Sequence, residues 1–190
     1  MKRIGIFGGS FDPVHRGHIA LARAAARELK LDRVIFVPAR QSPLKNKPLS
    51  PPAHRRAMLR LALRGNTRFM LSEFELKSSG PSYTIRTLRH FRKKYTAQQL
   101  FLLMGGDAFL SFRKWKDWKK IAGLCAIAVA RRSGAAKISE HFIRSINADV
   151  HILRSSIPAV SSTALRRRNY SAAMLPPGVG RYIQANGLYS

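Results

Sequence analysis

The stretch GIFGGSFDPVHRGHIALA, running from Gly5 to Ala22, decides the fold. Apolar Ile6 and Phe7 end in Gly8, Gly9 and Ser10, and a polar turn then opens at Gly17 into a segment where Ile19, Ala22, Ala26 and Leu29 recur at helical spacing. A strand therefore feeds through a glycine turn into a helix whose apolar face packs on a sheet. Such a turn suits phosphate. Adjacent glycines let backbone N–H groups approach an anion closely, and a helix N terminus adds unpaired donors and the positive end of its dipole. His15 and His18 stand three residues apart, so if a first helical turn contains both, two imidazoles can point toward one phosphate group; a helix cap or part of a metal site is the other use of such a pair. Neither the GxGxxG dinucleotide fingerprint nor the P-loop pattern is present.

Outward from that stretch, short β-branched or aromatic runs continue to alternate with amphipathic ones. Strands are expected at Lys2 to Phe7, Arg33 to Val37, Phe69 to Ser72, Leu100 to Met104, Ala126 to Ala130 and Val150 to Leu153. Helices are expected at Gly17 to Lys30, Ala53 to Leu63, Thr84 to Lys94, Trp118 to Ala122, Ser162 to Arg168 and Gly178 to Asn186. The pattern predicts an α/β fold, a Rossmann-like, mostly parallel sheet with helices on both faces, and one domain over residues 1–190. The segment ARQSPLKNKPLSPP, rich in Pro, Ser and Lys, reads as a surface loop.

Composition narrows the function classes. Lys and Arg number 35 against 9 Asp and Glu, a formal charge of +26, so polyanions from ATP to nucleic acid enter as partners. No recognition motif accompanies the charge, which leaves nucleic acid as a nonspecific partner. Cys125 lies alone in the apolar run LCAIAVA and reads as a core thiol. No apolar run approaches membrane-spanning length, and a cytoplasmic protein is expected. Oligomeric state is left open.

A second constellation, VSSTALRRR, puts Ser161, Ser162 and Thr163 ahead of Arg166 on an expected helix. These hydroxyls suit either a helix cap or a phosphate. A metal site finds no support: His54, His90, His141 and His151 lack ligand-like spacing.

Taken whole, the first stretch resembles the nucleotidyltransferase superfamily signature, a glycine-rich turn followed by H-x-G-H, and SSTALR resembles its downstream phosphate motif. PLSPPAHRRAMLRLAL, FELKSSGPSYTIRTL, LLMGGDAFLSFRKWKDW and LPPGVGRYIQANGLY are similar, in order, to segments of the bacterial nicotinate-nucleotide adenylyltransferases. The resemblance implies transfer of AMP from ATP to nicotinate mononucleotide, giving deamido-NAD and pyrophosphate. Pantetheine-phosphate adenylyltransferase is the alternative enzyme, similar in the first signature and the serine-rich motif only.

By that resemblance His15, His18 and Arg166 are catalytic. Gly8, Gly9, Ser10, Phe11, Gly105, Asp107, Ser161, Ser162 and Thr163 join them in binding ATP, Asp107 through ribose hydroxyls. Lys45, Thr84 and Trp115 bind nicotinate mononucleotide, with Trp115 stacking on the pyridine; Trp118 and Tyr83 are read as packing. Leu44 stands where many relatives carry a histidine. Magnesium is expected to enter with ATP, bound mainly through phosphates, since Asp12 is the sole carboxylate in the first signature.

Overall fold

The computed structural model describes residues 1–43, 50–167 and 172–189. Its strands are β1 (Arg3–Gly9), β2 (Arg33–Pro38), β3 (Phe69–Leu71), β4 (Gln99–Gly105), β5 (Ala126–Ala130) and β6 (Val150–Ile152). The helices are α1 (Arg16–Glu28), α2 (Pro52–Leu63), α3 (Phe74–Lys77), α4 (Thr84–Lys94), α5 (Gly106–Leu110), α6 (Trp118–Leu124), α7 (Glu140–Arg144), α8 (Ser162–Arg166) and α9 (Val179–Ala185). All six expected strands form, and so do the six expected helices; Arg168, the end of one of them, lies outside the described residues. The short helices α3, α5 and α7 are additions, each of 4 or 5 residues. Segments that short show no helical periodicity.

The sheet is fully parallel, in the order β3-β2-β1-β4-β5-β6, with Ile6 of β1 opposite Ile35 on one side and Leu102 on the other. Strand alternation divides the core in two. Phe7, Phe36, Phe101 and Leu103 face α1, α2 and α9, whereas Ile6, Ile35, Leu102 and Met104 face α4 and α6. Burial of both faces explains why the strands read as continuous apolar runs. The four α1 positions singled out by periodicity, Ile19, Ala22, Ala26 and Leu29, are all buried. Cys125 is buried as well, and burial pushes its thiol up to about 12, consistent with an inert core residue.

Strand order reverses direction between β1 and β4, the place where open parallel sheets leave a crevice at their carboxyl ends.

Candidate active site

Glycines end both strands at this switch point, Gly8 and Gly9 on β1 and Gly105 on β4. Among the described residues, no atom beyond the chain neighbours lies within 4 Å of where a Cβ on Gly8 or Gly105 would stand. The strand ends thus open onto a cleft, which contains a cavity of about 630 Å³, the size of a small-molecule site. Gly8, Gly9, Ser10, His15, Gly17 and His18 line one part of it, and Thr84, Gly105, Asp107 and Trp115 another.

His15 is the N-cap of α1 and His18 its third residue, so both sit at the helix's positive end. Their rings stack 3.7 Å apart with 24° between planes. The backbone N–H of His15 donates to Nδ1 of His18 at 3.2 Å, which places the proton of neutral His18 on Nε2. The glycine between them is a packing requirement: a Cβ at position 17 would stand 3.0 Å from Nδ1 of His15 and 3.1 Å from its Cε1. Phe11 supports the pair from below, its ring edge-on to His18 at 5.0 Å.

His15 is only 5% exposed, and burial first, then the charge of Arg132, lowers its pKa to about 4. It is therefore neutral at pH 7 in the free protein. The sign for stability follows. Below about pH 6.5 the unfolded chain takes a proton that folded His15 refuses until about pH 4, so stability falls as pH drops through that window. Between pH 7 and 4.5 the loss from this residue should be on the order of 2 to 3 kcal/mol. Urea unfolding of the protein and of His15→Gln at both pH values checks it: the variant should lose correspondingly less, and equal losses would contradict a buried neutral imidazole.

Beneath the first signature runs a buried polar strut. Arg55 of α2 is fully buried and donates to the carbonyls of Ser50, Ser10, Ala39 and Arg40, at 2.8, 3.1, 2.6 and 3.4 Å. It ties the phosphate turn to the chain leaving β2. Asp12, also buried, accepts from the Tyr189 hydroxyl at 2.6 Å and from the Ser50 N–H at 3.2 Å. The helix α8 docks on the same turn, with Ser162 Oγ donating to the Pro13 carbonyl at 3.0 Å and Arg166 Nη1 to the Asp12 carbonyl at 2.6 Å. The two signatures, some 150 residues apart, are thus in direct contact.

At the far end of the cavity, Thr84 opens α4 and the Lys116 ammonium sits 4.6 Å from the centre of the Tyr83 ring. Trp115 meets Phe112 edge-on at 5.6 Å. Glu75 is buried there, accepting from Thr87 Oγ1, and burial raises its pKa while Thr87, Ser82 and Arg86 pull the other way. A raised carboxyl pKa contributes stability at low pH that is lost as pH rises through the folded value. Accordingly Glu75→Gln, which keeps an acceptor for Thr87, should gain stability relative to the parent at pH 8 and gain less or none at pH 4. Thermal melts at the two pH values measure this, and a gain confined to pH 4 would contradict the assignment.

The geometry refines the residue-level expectations. Gly8, Gly9, Ser10, His15, His18, Gly105, Asp107, Thr84 and Trp115 share the cleft. Phe11 is 1% exposed and sits in the core beneath the cleft rather than among the residues that line it. Ser161 caps α8 by accepting from the Ala164 N–H at 3.1 Å, and Thr163 accepts from Arg166 at 3.3 Å, so these hydroxyls are already engaged. Asp107 pairs with Arg132 Nη1 at 3.1 Å. Lys45 and Leu44 lie outside the described residues. Tyr83, read as packing, also lines the cavity, whereas Trp118 packs on Phe112 at 6.0 Å as expected. Sequence reasoning missed Arg132 and Arg55. Arg132 is the second residue after β5 ends at Ala130, and a pair of cations, Arg131 and Arg132, just beyond a strand's carboxyl end was the available signal.

Comparison with known proteins places this geometry. Residues 6–168 match the cytidylyltransferase-like family model. Relatives bearing the name "Probable nicotinate-nucleotide adenylyltransferase" include one from Neisseria meningitidis, 37% identical over all of this chain and 99% of its own. Another, from Thermomicrobium roseum, is 38% identical over all of this chain and 92% of its own. Among solved structures, Plasmodium falciparum nicotinic acid mononucleotide adenylyltransferase complexed with NaAD shares the fold at a TM-score of 0.83 and 21% identity, covering 100% of this chain and 98% of that one. The same protein complexed with APC gives a TM-score of 0.81 at 20% identity, with the same coverage.

Proposed function

The chain belongs to the nicotinate-nucleotide adenylyltransferases of the cytidylyltransferase-like family, and on that premise we propose how its residues carry AMP from ATP to nicotinate mononucleotide, yielding deamido-NAD and pyrophosphate. One observation carries the assignment of roles: the glycine ends of β1 and β4, the N terminus of α1 and the stacked histidines meet on a single cavity that continues to Thr84 and Trp115.

The acceptor's phosphate monoester is itself the nucleophile and attacks the α-phosphorus in line, so the protein needs to supply position and charge rather than a covalent intermediate. The Gly8 to Ser10 turn and the first turn of α1 hold the α-phosphate. His15 and His18 donate from Nε2 to oxygens that gain charge as pyrophosphate departs. Arg166 spends two guanidinium donors on Asp12 and Thr163, and its other donors, with those of Arg132, meet the β and γ phosphates. Asp107 receives the ribose hydroxyls while held by Arg132. Trp115 offers a ring face to the pyridine and Thr84 a hydroxyl.

Magnesium arrives as the ATP complex. Asp12 is committed to Tyr189 and Ser50 and Asp107 to Arg132, and among the described residues no group of three His, Cys, Asp or Glu is placed to hold a metal. Phosphate oxygens and water would be its ligands. We place the protein in the cytoplasm, a reading supported by its buried unpaired thiol; among the described residues no helix is long and apolar enough to cross a membrane.

ATP labelled at the α-phosphate, incubated with nicotinate mononucleotide, tests the reaction. The label should appear in a dinucleotide with an equal amount of pyrophosphate, and pyrophosphate should not form without acceptor. Label released as AMP irrespective of acceptor would overturn it.

A further inference from the structure

A second concave surface lies on the outer side of α1 and shares no lining residue with the catalytic cleft. It is a groove of about 900 Å³ between α1, the end of α2, residues 155–158 and the start of α9. Arg16, Arg23, Arg27, Arg64 and Arg181 line it, all exposed, and among the described residues no Asp or Glu does. Among the described residues none of the five is in an ion pair. Glu28, the carboxylate beside Arg27 in sequence, is occupied by the N–H groups of Arg154 and Ser155 and by the Ser155 hydroxyl.

The arginines are ordered. Arg16, Arg23 and Arg27 fall on one stripe of α1, spread over about 16 Å at a helical rise of about 1.5 Å per residue. Arg64 and Arg181 come from other elements, and apolar Ile19, Ala24 and Leu61 lie among the lining residues. Arg16 Nε donates to the Leu175 carbonyl at 3.2 Å and Arg27 Nη2 to Ser155 Oγ at 2.7 Å; the remaining guanidinium donors along a trough with apolar patches fit a chain of phosphodiesters, the patches accepting sugars and bases. The chemistry of AMP transfer does not use these residues, although they carry part of the +26 charge.

From this arrangement we propose that the α1–α2–α9 groove is a sequence-independent binding site for single-stranded nucleic acid. An anionic membrane is disfavoured because the surface is concave and none of the exposed large hydrophobic side chains, Met1, Met70, Leu110 and Met174, belongs to it.

The test is fluorescence anisotropy with a labelled 20-nucleotide RNA of mixed sequence, titrated with the full-length protein from 50 to 300 mM KCl. Three proteins are compared: the parent, the groove variant Arg23→Gln/Arg64→Gln/Arg181→Gln, and a control that removes the same charge elsewhere, Arg89→Gln/Lys93→Gln/Lys94→Gln on α4. The groove variant should bind roughly tenfold or more weakly at low salt, and the slope of log K against log salt should be shallower by about 2, near 0.7 for each phosphate that is no longer neutralised. The control should weaken much less, and adenylyl transfer should be unchanged in both. Failure of the parent to bind at 50 mM KCl, or equal weakening in both variants, overturns the site. Displacement of RNA by polyglutamate at matched charge as readily as by unlabelled RNA overturns the choice of nucleic acid. Absence of adenylyl transfer by the parent would count against the proposed function alone, because the binding assay uses no ATP.

Discussion

His18→Ala should lower kcat by about 10²-fold to 10³-fold while leaving the protein folded, the usual effect of removing one donor from a site where charge develops. The ring is oriented by its own helix: the His15 N–H fixes Nδ1, the His15 ring covers one face and Phe11 meets it edge-on. That support fixes the plane of the ring before the α-phosphate arrives. Because the donor acts most strongly as charge moves to the leaving pyrophosphate, kcat should fall far more than the KM for ATP rises. Steady-state kinetics of a variant with a native melting transition reads this. Near-normal kcat would remove His18 from the chemistry.

The second large effect is expected at the other end of the cavity. Trp115→Ala should reduce kcat/KM for pyridine mononucleotides by roughly 10-fold to 100-fold, since base stacking on an aromatic ring contributes about 1 to 3 kcal/mol. ATP affinity should be little changed. The surroundings also favour a carboxylate on the pyridine. Thr84 begins an eleven-residue helix whose N terminus is the positive end of its dipole, and Lys114 and Lys116 line the same cavity. Glu75, a buried acid in that region, is biased by burial toward its neutral form. A carboxamide would set an NH₂ against donors built for oxygen, leaving a buried group unsatisfied at about 1 to 3 kcal/mol. Equal losses for ATP and acceptor in Trp115→Ala would mean the ring supports the whole cleft rather than the pyridine.

The parallel sheet was legible in the sequence because both faces of its central strands are covered, which makes strands such as Ala126–Ala130 unbroken apolar runs. Helix α1 was legible from Ile19, Ala22, Ala26 and Leu29 on one face. Gly8 to His18 was equally open as a glycine turn between strand and helix with two imidazoles at the helix start. Residues that hold the turn from behind were hidden. Arg55 sits in PAHRRAMLRLAL beside Arg56, and only tertiary structure reveals that one is fully buried under four carbonyls while the other reaches Glu73 at 3.3 Å. Tyr189 was hidden for the same reason, because its partner Asp12 lies 177 residues away. Ser161 and Thr163 were read as suiting either a helix cap or a phosphate; Ser161 accepts from the Ala164 N–H as a cap and Thr163 accepts from Arg166, which leaves each O–H as a donor.

The cleft between β1 and β4 is expected to select nicotinate mononucleotide as the acceptor of AMP. The most direct measurement is kcat/KM of the unaltered protein, with ATP saturating, for nicotinate mononucleotide, nicotinamide mononucleotide and phosphopantetheine. Nicotinate mononucleotide should exceed its amide by roughly tenfold to more than a hundredfold, with phosphopantetheine lower still. Equal use of the two pyridines would contradict the carboxylate pocket, and preference for phosphopantetheine would contradict the acceptor altogether.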